Sequence, residues 1–209
     1  MKPTQTITTI LILLTLITTI LLYNYLPDQL TTHWNSKGEP DGQMPKLQGA
    51  FLTPIMLMAI TLILFLVPKI DPLKDNIEKF RKHYDHFILI ISLFLAIIHF
   101  ITLAWNLNYK VDINIIVPIM VAFLFYYLST LLSKSKRNWF IGIRTPWTLS
   151  SDKVWDKTNK LGGKIFKIIS IFILLGTFFN DYMIYFILIP IAILIPSLWI
   201  YSYLEFKKP

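Results

Sequence analysis

The polar segment of residues 31–42 carries the side chains best suited to bind a ligand. His33, Asn35 and Asp41 supply an imidazole, an amide and a carboxylate within nine residues, and such a set could converge on a ligand or a metal ion. The alternative is structural, because the same groups can hydrogen-bond the turns that hold a loop against its flanking helices. A single histidine without a ligand spacing disfavours a metal. The segment therefore predicts a recognition surface or a structural loop, with no metal site.

Turn-forming residues indicate that this segment is compact. Gly38 and Gly42 allow positive φ, and Pro40 fixes its own φ. The pair Asp41-Gly42 suits a tight turn. We therefore expect a compact loop between two helices, with Trp34 as the largest side chain available for contact.

A second segment, residues 137–148, interleaves arginine with aromatic side chains. A guanidinium next to aromatic rings can hold a phosphate, a carboxylate or a cluster of carbonyl groups, so Arg144 is the candidate of interest. The competing interpretation is membrane anchoring, with Arg144 on a lipid headgroup and the aromatic rings in a belt at the headgroup level.

Catalytic chemistry finds little support elsewhere in the chain. The sequence has no cysteine, which removes thiolate nucleophiles, thiolate metal sites and disulfides together. It also shows no nucleophile–base pair and no phosphate-binding loop. His99 lies within an apolar run, and no predicted span holds an acidic residue, so a structural hydrogen bond is favoured over a proton relay. The pair His83 and His86 fits the polar edge of a helix.

The apolar composition of the chain predicts the membrane-spanning helices that position these two segments. Apolar side chains make up 55% of the 209 residues, charged ones make up 15%, and the mean hydropathy is +0.57. A soluble domain carries more charge, whereas these apolar runs are long enough to cross about 30 Å of hydrocarbon. The fold class is therefore an all-α integral membrane protein, which excludes soluble enzymes and nucleic-acid-binding proteins. Five runs are clear: 7–26, 47–68, 87–109, 113–133 and 182–204.

A sixth span is predicted to begin near Gly163, although only 13 residues separate Lys167 from Asp181. Lys164 and Lys167 can extend their aliphatic stems towards the interface. The chain then forms a six-helix transmembrane bundle, with Asn180-Asp181 as the turn before the last span. Without this sixth span, the final apolar stretch would form a re-entrant hairpin.

Two amphipathic helices are predicted at the membrane surface. The first covers about residues 72–86 and follows Asp71, whose carboxylate can accept from the first free backbone N–H groups. The second covers about residues 151–161 and presents lysines to water or to anionic headgroups. Residues 1–68 would form a two-span domain, and residues 69–209 a four-span region.

The basic residues set the orientation, because they are retained on the cytoplasmic side. With six spans, 17 lysines and arginines fall on one side of the membrane and three fall on the other. Both termini and the 137–148 segment are therefore predicted to be cytoplasmic, and the 31–42 segment is predicted to face outwards. The basic charge of the chain, +8, reflects this asymmetry and attraction to anionic lipid, with no nucleic-acid partner.

Two signatures make the sequence similar to a known family. The His33-Trp34-Asn35 segment, followed by Gly38 and Pro40-Asp41-Gly42, resembles the outer-loop motif of the domain that begins SdpI-type immunity proteins. The segment NWFIGIRTPWT of residues 138–148, with Trp155 downstream, resembles the second signature of that family. The connection 68–72 also fits. One position departs from the pattern, because Asn159 stands where the family often has histidine.

The resemblance implies a bacterial plasma-membrane protein that protects its cell from a secreted, membrane-active peptide toxin. It also implies a non-enzymatic immunity or receptor protein without a cofactor, which sometimes signals to a cytoplasmic regulator. The partners implied are the toxin outside, the regulator inside and membrane lipid. The ligand-binding or partner-binding residues would be those of the two signatures: His33, Trp34, Asn35, Gly38, Pro40, Asp41, Gly42, Asn138, Gly142, Arg144, Thr145, Pro146 and Trp155.

Two alternative functions compete with this interpretation. A membrane enzyme or small transporter would use the His33 and Asp41 loop, but the predicted sidedness places His33 and Arg144 on opposite faces, where they cannot share a reaction centre. A signalling scaffold would instead bind a cytoplasmic regulator through residues 138–160.

Overall fold

The computed structural model describes residues 3–179 and 182–209. Within these ranges the chain forms eight α-helices, a short 3-10 turn at Tyr23–Tyr25 and one two-stranded sheet. The helices are α1 (Pro3–Leu22), α2 (Lys46–Ile70), α3 (Lys74–Glu78), α4 (Arg81–Asn106), α5 (Ile113–Lys134), α6 (Pro146–Ser150), α7 (Asp152–Gly176) and α8 (Met183–Phe206), and the strands are β1 (Gln29–Trp34) and β2 (Pro40–Pro45). The turn predicted at Asn180-Asp181 lies outside the described residues.

Five of these helices are long and apolar enough to cross a membrane, namely α1, α2, α4, α5 and α8. They coincide with the five clear apolar runs of the sequence. Helix α7 is equally long, at 25 residues, and joins the predicted 151–161 helix to the predicted sixth span without a break. Because five lysines lie within residues 152–167, the composition of α7 differs from that of the other five long helices. The count of six spans stays a prediction.

Helix α1 buries hydroxyl side chains and exposes apolar ones, as a helix that faces lipid does. Its buried residues are Thr8, Thr15 and Thr19, whereas its isoleucines and leucines are largely exposed. Small hydroxyl residues let transmembrane helices approach closely and bond across the contact. The Thr19 hydroxyl donates to the Thr15 carbonyl and lies 2.7 Å from Nε2 of His99 on α4. His99 is therefore a buried partner of α1, the structural bond that the sequence favours.

The segment between α1 and α2 is a β-hairpin, which the all-α prediction missed. Strands β1 and β2 pair antiparallel, with register shifts on either side of His33. The tight turn lies at residues 35–39, where Asn35 N–H donates to the Glu39 carbonyl and Gly38 N–H donates to the Asn35 carbonyl. Asp41-Gly42, expected to form that turn, lies in β2 instead. The chain reverses earlier because Gly38 adopts positive φ, +76°.

The predicted 72–86 helix is divided in two. A short helix, α3, ends at Glu78, and α4 begins at Arg81 after a turn. The turn allows Ile77, Phe80 and Tyr84 to enter one buried cluster, which also contains Val67 and Leu131. The apolar stripe that suggested a membrane-surface helix is therefore packed within the protein.

The long helices pack as two groups that meet at α4 and α5. Helices α1 and α2 pack on α4, while α7 packs along α5 and α8. The hairpin lies at the start of α2, which is 25 residues or about 37 Å long. At the other end of α2, Asp71 contacts the loop between α5 and α7, residues 135–151. We call the two ends of the bundle the hairpin end and the loop end. The division into domains 1–68 and 69–209 stays a prediction.

Candidate recognition surfaces at the two ends of the bundle

The turn of the hairpin is organised by one amide side chain. Asn35 Oδ1 accepts from the backbone N–H groups of Lys37, at 2.8 Å, and Glu39, at 3.1 Å. Its Nδ2 donates to the Glu39 carboxylate at 3.0 Å. Asn35 thus replaces strand hydrogen bonds that the turn cannot make, so its first role is structural.

His33 and Asp41 form a pair across the hairpin. His33 Nδ1 lies 2.5 Å from Asp41 Oδ1, and both side chains are exposed. Because an ionised carboxylate only accepts, Nδ1 carries the proton and Nε2 is the remaining ring nitrogen for a ligand. Gly42 makes the pairing possible, since a Cβ at that position would lie 2.8 Å from His33 Cβ.

The hairpin is fixed to α4 by a second amide that the sequence analysis did not identify. Asn106 Oδ1 accepts from Thr31 N–H at 2.8 Å, and its Nδ2 donates to the Thr31 carbonyl at 2.9 Å. Asn106 therefore pairs with β1 as a neighbouring strand would. Leu30 is fully buried and packs near Gly49, where an added Cβ would lie 3.0 Å from Leu30 Cβ.

Trp34 connects the hairpin to the rest of the bundle. Its ring packs edge-on against Trp105 at the end of α4, with centroids 5.4 Å apart, and Lys110 Nζ lies 4.4 Å from the Trp105 centroid. The indole N–H of Trp34 is buried and has no hydrogen-bond partner among the described residues. The fold thus leaves one buried indole donor unsatisfied.

A groove of about 350 Å³ opens between the hairpin, α5 and α8. Its polar wall consists of His33, Trp34, Asn35, Ser36 and Asn114. Its other wall is apolar and consists of Ile113, Val117, Pro118, Met183, Ile184 and Ile187. Such a combination of an apolar surface with a few polar groups is typical of a binding site.

At the loop end, Asn138 is the centre of the α5–α7 loop. Its side chain is fully buried, and Oδ1 accepts from the N–H groups of Phe140 and Ile141 at 2.9 and 2.6 Å. Nδ2 donates to the carbonyls of Lys136 and Ile141, both at 2.8 Å. Every hydrogen-bonding position of this amide is used within the loop, so the predicted binding residue Asn138 offers nothing to a ligand.

Gly142, Trp155 and Asn159 form the contact between the loop and α7. Gly142 has φ +132°, and an added Cβ would lie 2.7 Å from the Trp155 ring and 2.9 Å from Asn159 Oδ1. Trp155 is fully buried and donates to the Ser135 carbonyl at 3.2 Å. Asn159 accepts from Ile143 N–H at 2.8 Å. The position that departs from the family pattern thus has a structural role in this chain.

Thr145 begins the short helix α6. It shares a capping box with Thr148, in which each side chain accepts from the backbone N–H of the other, and Thr145 Oγ1 also donates to Ser202 Oγ on α8 at 2.9 Å. Pro146 follows as the first helical residue and is exposed. Thr145, like Asn138 and Trp155, is buried. These three residues hold the loop together, and their binding of a partner stays a prediction.

Asp71 joins the loop to the other helix group, a role that the sequence analysis did not identify. Its buried carboxylate accepts from Leu73 N–H at 2.6 Å and from Trp139 N–H at 2.9 Å. Asn76 adds a bond to the Arg137 carbonyl at 2.9 Å. Sequence could not reveal the bonds to Trp139 and Arg137, because 68 and 61 residues separate the partners.

The accessible part of the α5–α7 loop is small, and the buried hydrogen bonds of Asn138 and Asp71 hold it in place. Trp139 and Phe140 are 50% and 37% exposed. Arg144 is exposed, and one of its terminal nitrogens donates to the Trp139 carbonyl at 2.5 Å. Of the predicted binding residues at this end, Arg144 and Pro146 are the exposed ones.

The two candidate surfaces are therefore separate. His33 and Asp41 lie on the hairpin, at one end of α2, whereas Arg144 lies in the loop that Asp71 contacts at the other end, about 37 Å away along the helix. Within residues 3–179 and 182–209, no three histidine, aspartate or glutamate side chains are grouped as metal ligands.

Comparison with known proteins agrees with both signatures. Residues 134–203 match the SdpI/YfhL protein family, and residues 10–58 match the domain of unknown function DUF1648. Immunity protein SdpI of Bacillus subtilis (strain 168) is 28% identical over 205 residues, which cover 97% of this chain and 95% of that protein. No solved structure matches the chain. The two matched segments and the similarity over nearly the full length agree, and the chain is similar to the SdpI/YfhL protein family.

Proposed function

We propose that this protein is a non-enzymatic immunity protein, which protects the bacterial membrane by binding a secreted, membrane-active peptide toxin in the groove at the hairpin end. The groove itself is the observation that carries this proposal. It is built by the hairpin, inside the 10–58 match, by residues 183–187 of α8, inside the 134–203 match, and by the start of α5 between them. The similarity to an immunity protein supports the functional class.

The distribution of charge supports an outward-facing hairpin. If α7 crosses as a sixth span, 17 basic residues lie at the loop end and three at the hairpin end. Basic residues are retained in the cytoplasm, so both termini and the loop end would be cytoplasmic. The packing of α7 along α5 and α8, two helices with the composition of spans, supports this sixth crossing.

The chemistry of the groove suits an amphipathic peptide. Apolar side chains of the peptide would pack on Ile113, Ile184 and Ile187, and its backbone carbonyls would accept from the Asn114 amide. Steering by charge is weak, because the net charge of the outer face is small and salt screens it within about 10 Å. Affinity must come from shape and from burial of apolar surface, and a peptide held there is kept from inserting.

A groove-filling substitution tests the proposal. Ser36 lines the groove and is exposed, so Ser36→Trp fills it without disturbing a buried contact. Gln43 is exposed on β2 and is not among the residues lining the groove, so Gln43→Trp is the matched control. Sensitive cells expressing each variant are challenged with culture supernatant of the strain that carries the gene. We expect wild type and Gln43→Trp to protect and Ser36→Trp to fail at equal membrane abundance. Equal protection by all three would contradict the groove as the site.

A second candidate function has one observation in its favour. Trp139, Phe140 and Arg144 form an exposed surface on a loop that its buried network makes rigid. A cytoplasmic regulator could dock on these residues. Pull-down of a soluble partner by wild type, and loss of that partner with Arg144→Ala, would support this signalling role; recovery of the same partner with Arg144→Ala would argue against it.

A further inference from the structure

The lysines of α7 fall into two classes. Near the start of the helix, Lys157 pairs with Glu205 at 2.6 Å, and Lys153 lies 3.5 Å from the Pro209 carbonyl. Lys160, Lys164 and Lys167 are exposed, and none contacts a carboxylate among residues 3–179 and 182–209. The spacing of four and three residues places these three on one face of the helix. That face carries three positive charges without a counter-charge from the protein.

This face lies beside helices that have the composition of membrane spans. Gly163 packs so closely on α5 that an added Cβ would lie 2.6 Å from the Ser129 carbonyl oxygen. Lys167 Nζ lies 5.5 Å from the centroid of Tyr126 on α5. One turn further along α7, the exposed residues become apolar, namely Ile168, Ile171, Phe172 and Leu175. The change from lysine to apolar residues marks the level at which headgroups give way to acyl chains.

An apolar groove begins at this level. It has a volume of about 340 Å³ and lies between α7 and α8, lined on one side by Ile165, Ile168 and Phe172 and on the other by Pro190, Ile193 and Ser197. Ile168 stands one helical turn beyond Lys164, on the adjoining face. The groove follows α7 for about 10 Å towards the hairpin end, since its lining residues on this helix run from Ile165 to Phe172. A cationic face therefore continues directly into an apolar channel.

We propose that α7 and α8 form a binding site for one anionic phospholipid, whose phosphate lies among Lys160, Lys164 and Lys167 and one of whose acyl chains lies in the apolar groove. Charge complementarity identifies the occupant. Three unpaired ammonium groups at the membrane surface need a counter-charge, and a phosphodiester supplies it. The adjoining groove accepts a hydrocarbon chain, which a free phosphate ion does not have. The bound lipid would neutralise the charge that makes α7 unlike the other long helices.

Native mass spectrometry of the full-length protein tests this site, with phosphatidylglycerol as the probe in a phosphatidylcholine background. The triple variant Lys160→Gln, Lys164→Gln, Lys167→Gln removes the cationic face. The control Lys69→Gln, Lys74→Gln, Lys82→Gln removes the same charge from exposed lysines at the other side of the loop end. Ile193→Trp fills the groove and leaves every charge in place.

We expect wild type and the control variant to retain one phosphatidylglycerol each. Retention should fall about fivefold for each lysine removed from α7, and Ile193→Trp should lower it as well. Equal losses from the two triple variants would show general attraction to charge and overturn the site. Unchanged retention in the α7 variant, or preference for phosphatidylcholine, would overturn it equally. If Ile193→Trp binds phosphatidylglycerol as wild type does while the α7 triple variant does not, no acyl chain lies in the groove, and the proposed site is overturned.

Discussion

Two asparagines with nearly the same local hydrogen bonds stand at opposite ends of this protein. Asn35 and Asn138 each use Oδ1 to accept from the backbone N–H two residues ahead and from a second N–H just beyond. Asn138 is fully buried and its Nδ2 donates to two carbonyls, whereas Asn35 is half-buried on a hairpin beside a groove. The same hydrogen-bonding motif thus builds the interior of one region and the edge of a candidate binding surface in the other. Burial, rather than residue type, separates the two roles.

Asn138→Ala should have the largest effect on stability. It leaves two N–H groups and two carbonyls without partners in a buried loop, and we expect a loss of roughly 4 kcal/mol in the free energy of unfolding. Unfolding in SDS, followed by helical circular dichroism, measures this loss. Asn35→Ala is the matched variant at the hairpin end and should cost about 1 kcal/mol, because water can replace its bonds. Similar losses for the two variants would remove the distinction between the ends.

Gly142→Ala should come next. The added methyl group would collide with the Trp155 ring, and alanine disfavours φ of +132°. We expect a loss of about 2–3 kcal/mol. Gly38→Ala, at the positive φ of the hairpin turn, should cost about 1 kcal/mol, because its nearest neighbour is the end of the Asn114 side chain at 3.1 Å. The same unfolding assay compares them, and a smaller loss at Gly142 than at Gly38 would be contrary to expectation.

Asn106→Leu should release the hairpin while leaving the helices intact. It removes both bonds to Thr31, which we expect to cost about 2 kcal/mol locally. Limited proteolysis should cut the variant within residues 29–45, and membrane abundance should stay normal. A variant that resists the protease as wild type does would show that Leu30 and the Trp34 contact fix the hairpin without Asn106.

His33→Ala and Asp41→Ala should have the smallest effect on stability and a large one on protection. The pair is exposed, so its loss should cost under about 1 kcal/mol. If the hairpin recognises the toxin, either variant should abolish protection and still accumulate in the membrane. Cell survival and membrane abundance are measured together. Loss of accumulation would show that the pair is structural.

The sequence predicted the parts of the fold whose signals are local. Uncharged runs located five spanning helices to within a few residues, except that α4 begins at Arg81 and not near residue 87. The hairpin was missed because Gln29–Trp34 and Pro40–Pro45 lack a strong alternation of apolar and polar residues. Its structure depends on Asn106, which lies 75 residues from Thr31 in the chain. No local pattern signals such a partner.

The sequence identified which segments form the candidate sites, but it did not identify what each residue does there. Both signatures contain residues that meet in space. The pairing of His33 with Asp41 was not predicted, because it depends on a turn at residues 35–39 and not at Asp41-Gly42. Asn138, Thr145 and Trp155 were expected to bind a partner, yet each is buried by contacts within the protein. A buried amide and an exposed one have the same letter in the sequence, so only the packing distinguishes them.

The proposed function depends above all on the hairpin end facing outwards and the loop end facing the cytoplasm. The chain has no cysteine, so Ser36→Cys on the hairpin and Ser150→Cys on the loop each introduce a single thiol at an exposed position. Both are treated in intact cells with a maleimide that does not cross membranes, and again after permeabilisation. We expect Ser36→Cys to be labelled in intact cells and Ser150→Cys to be labelled only after permeabilisation. Labelling of both in intact cells, or of Ser150→Cys alone, would contradict this orientation.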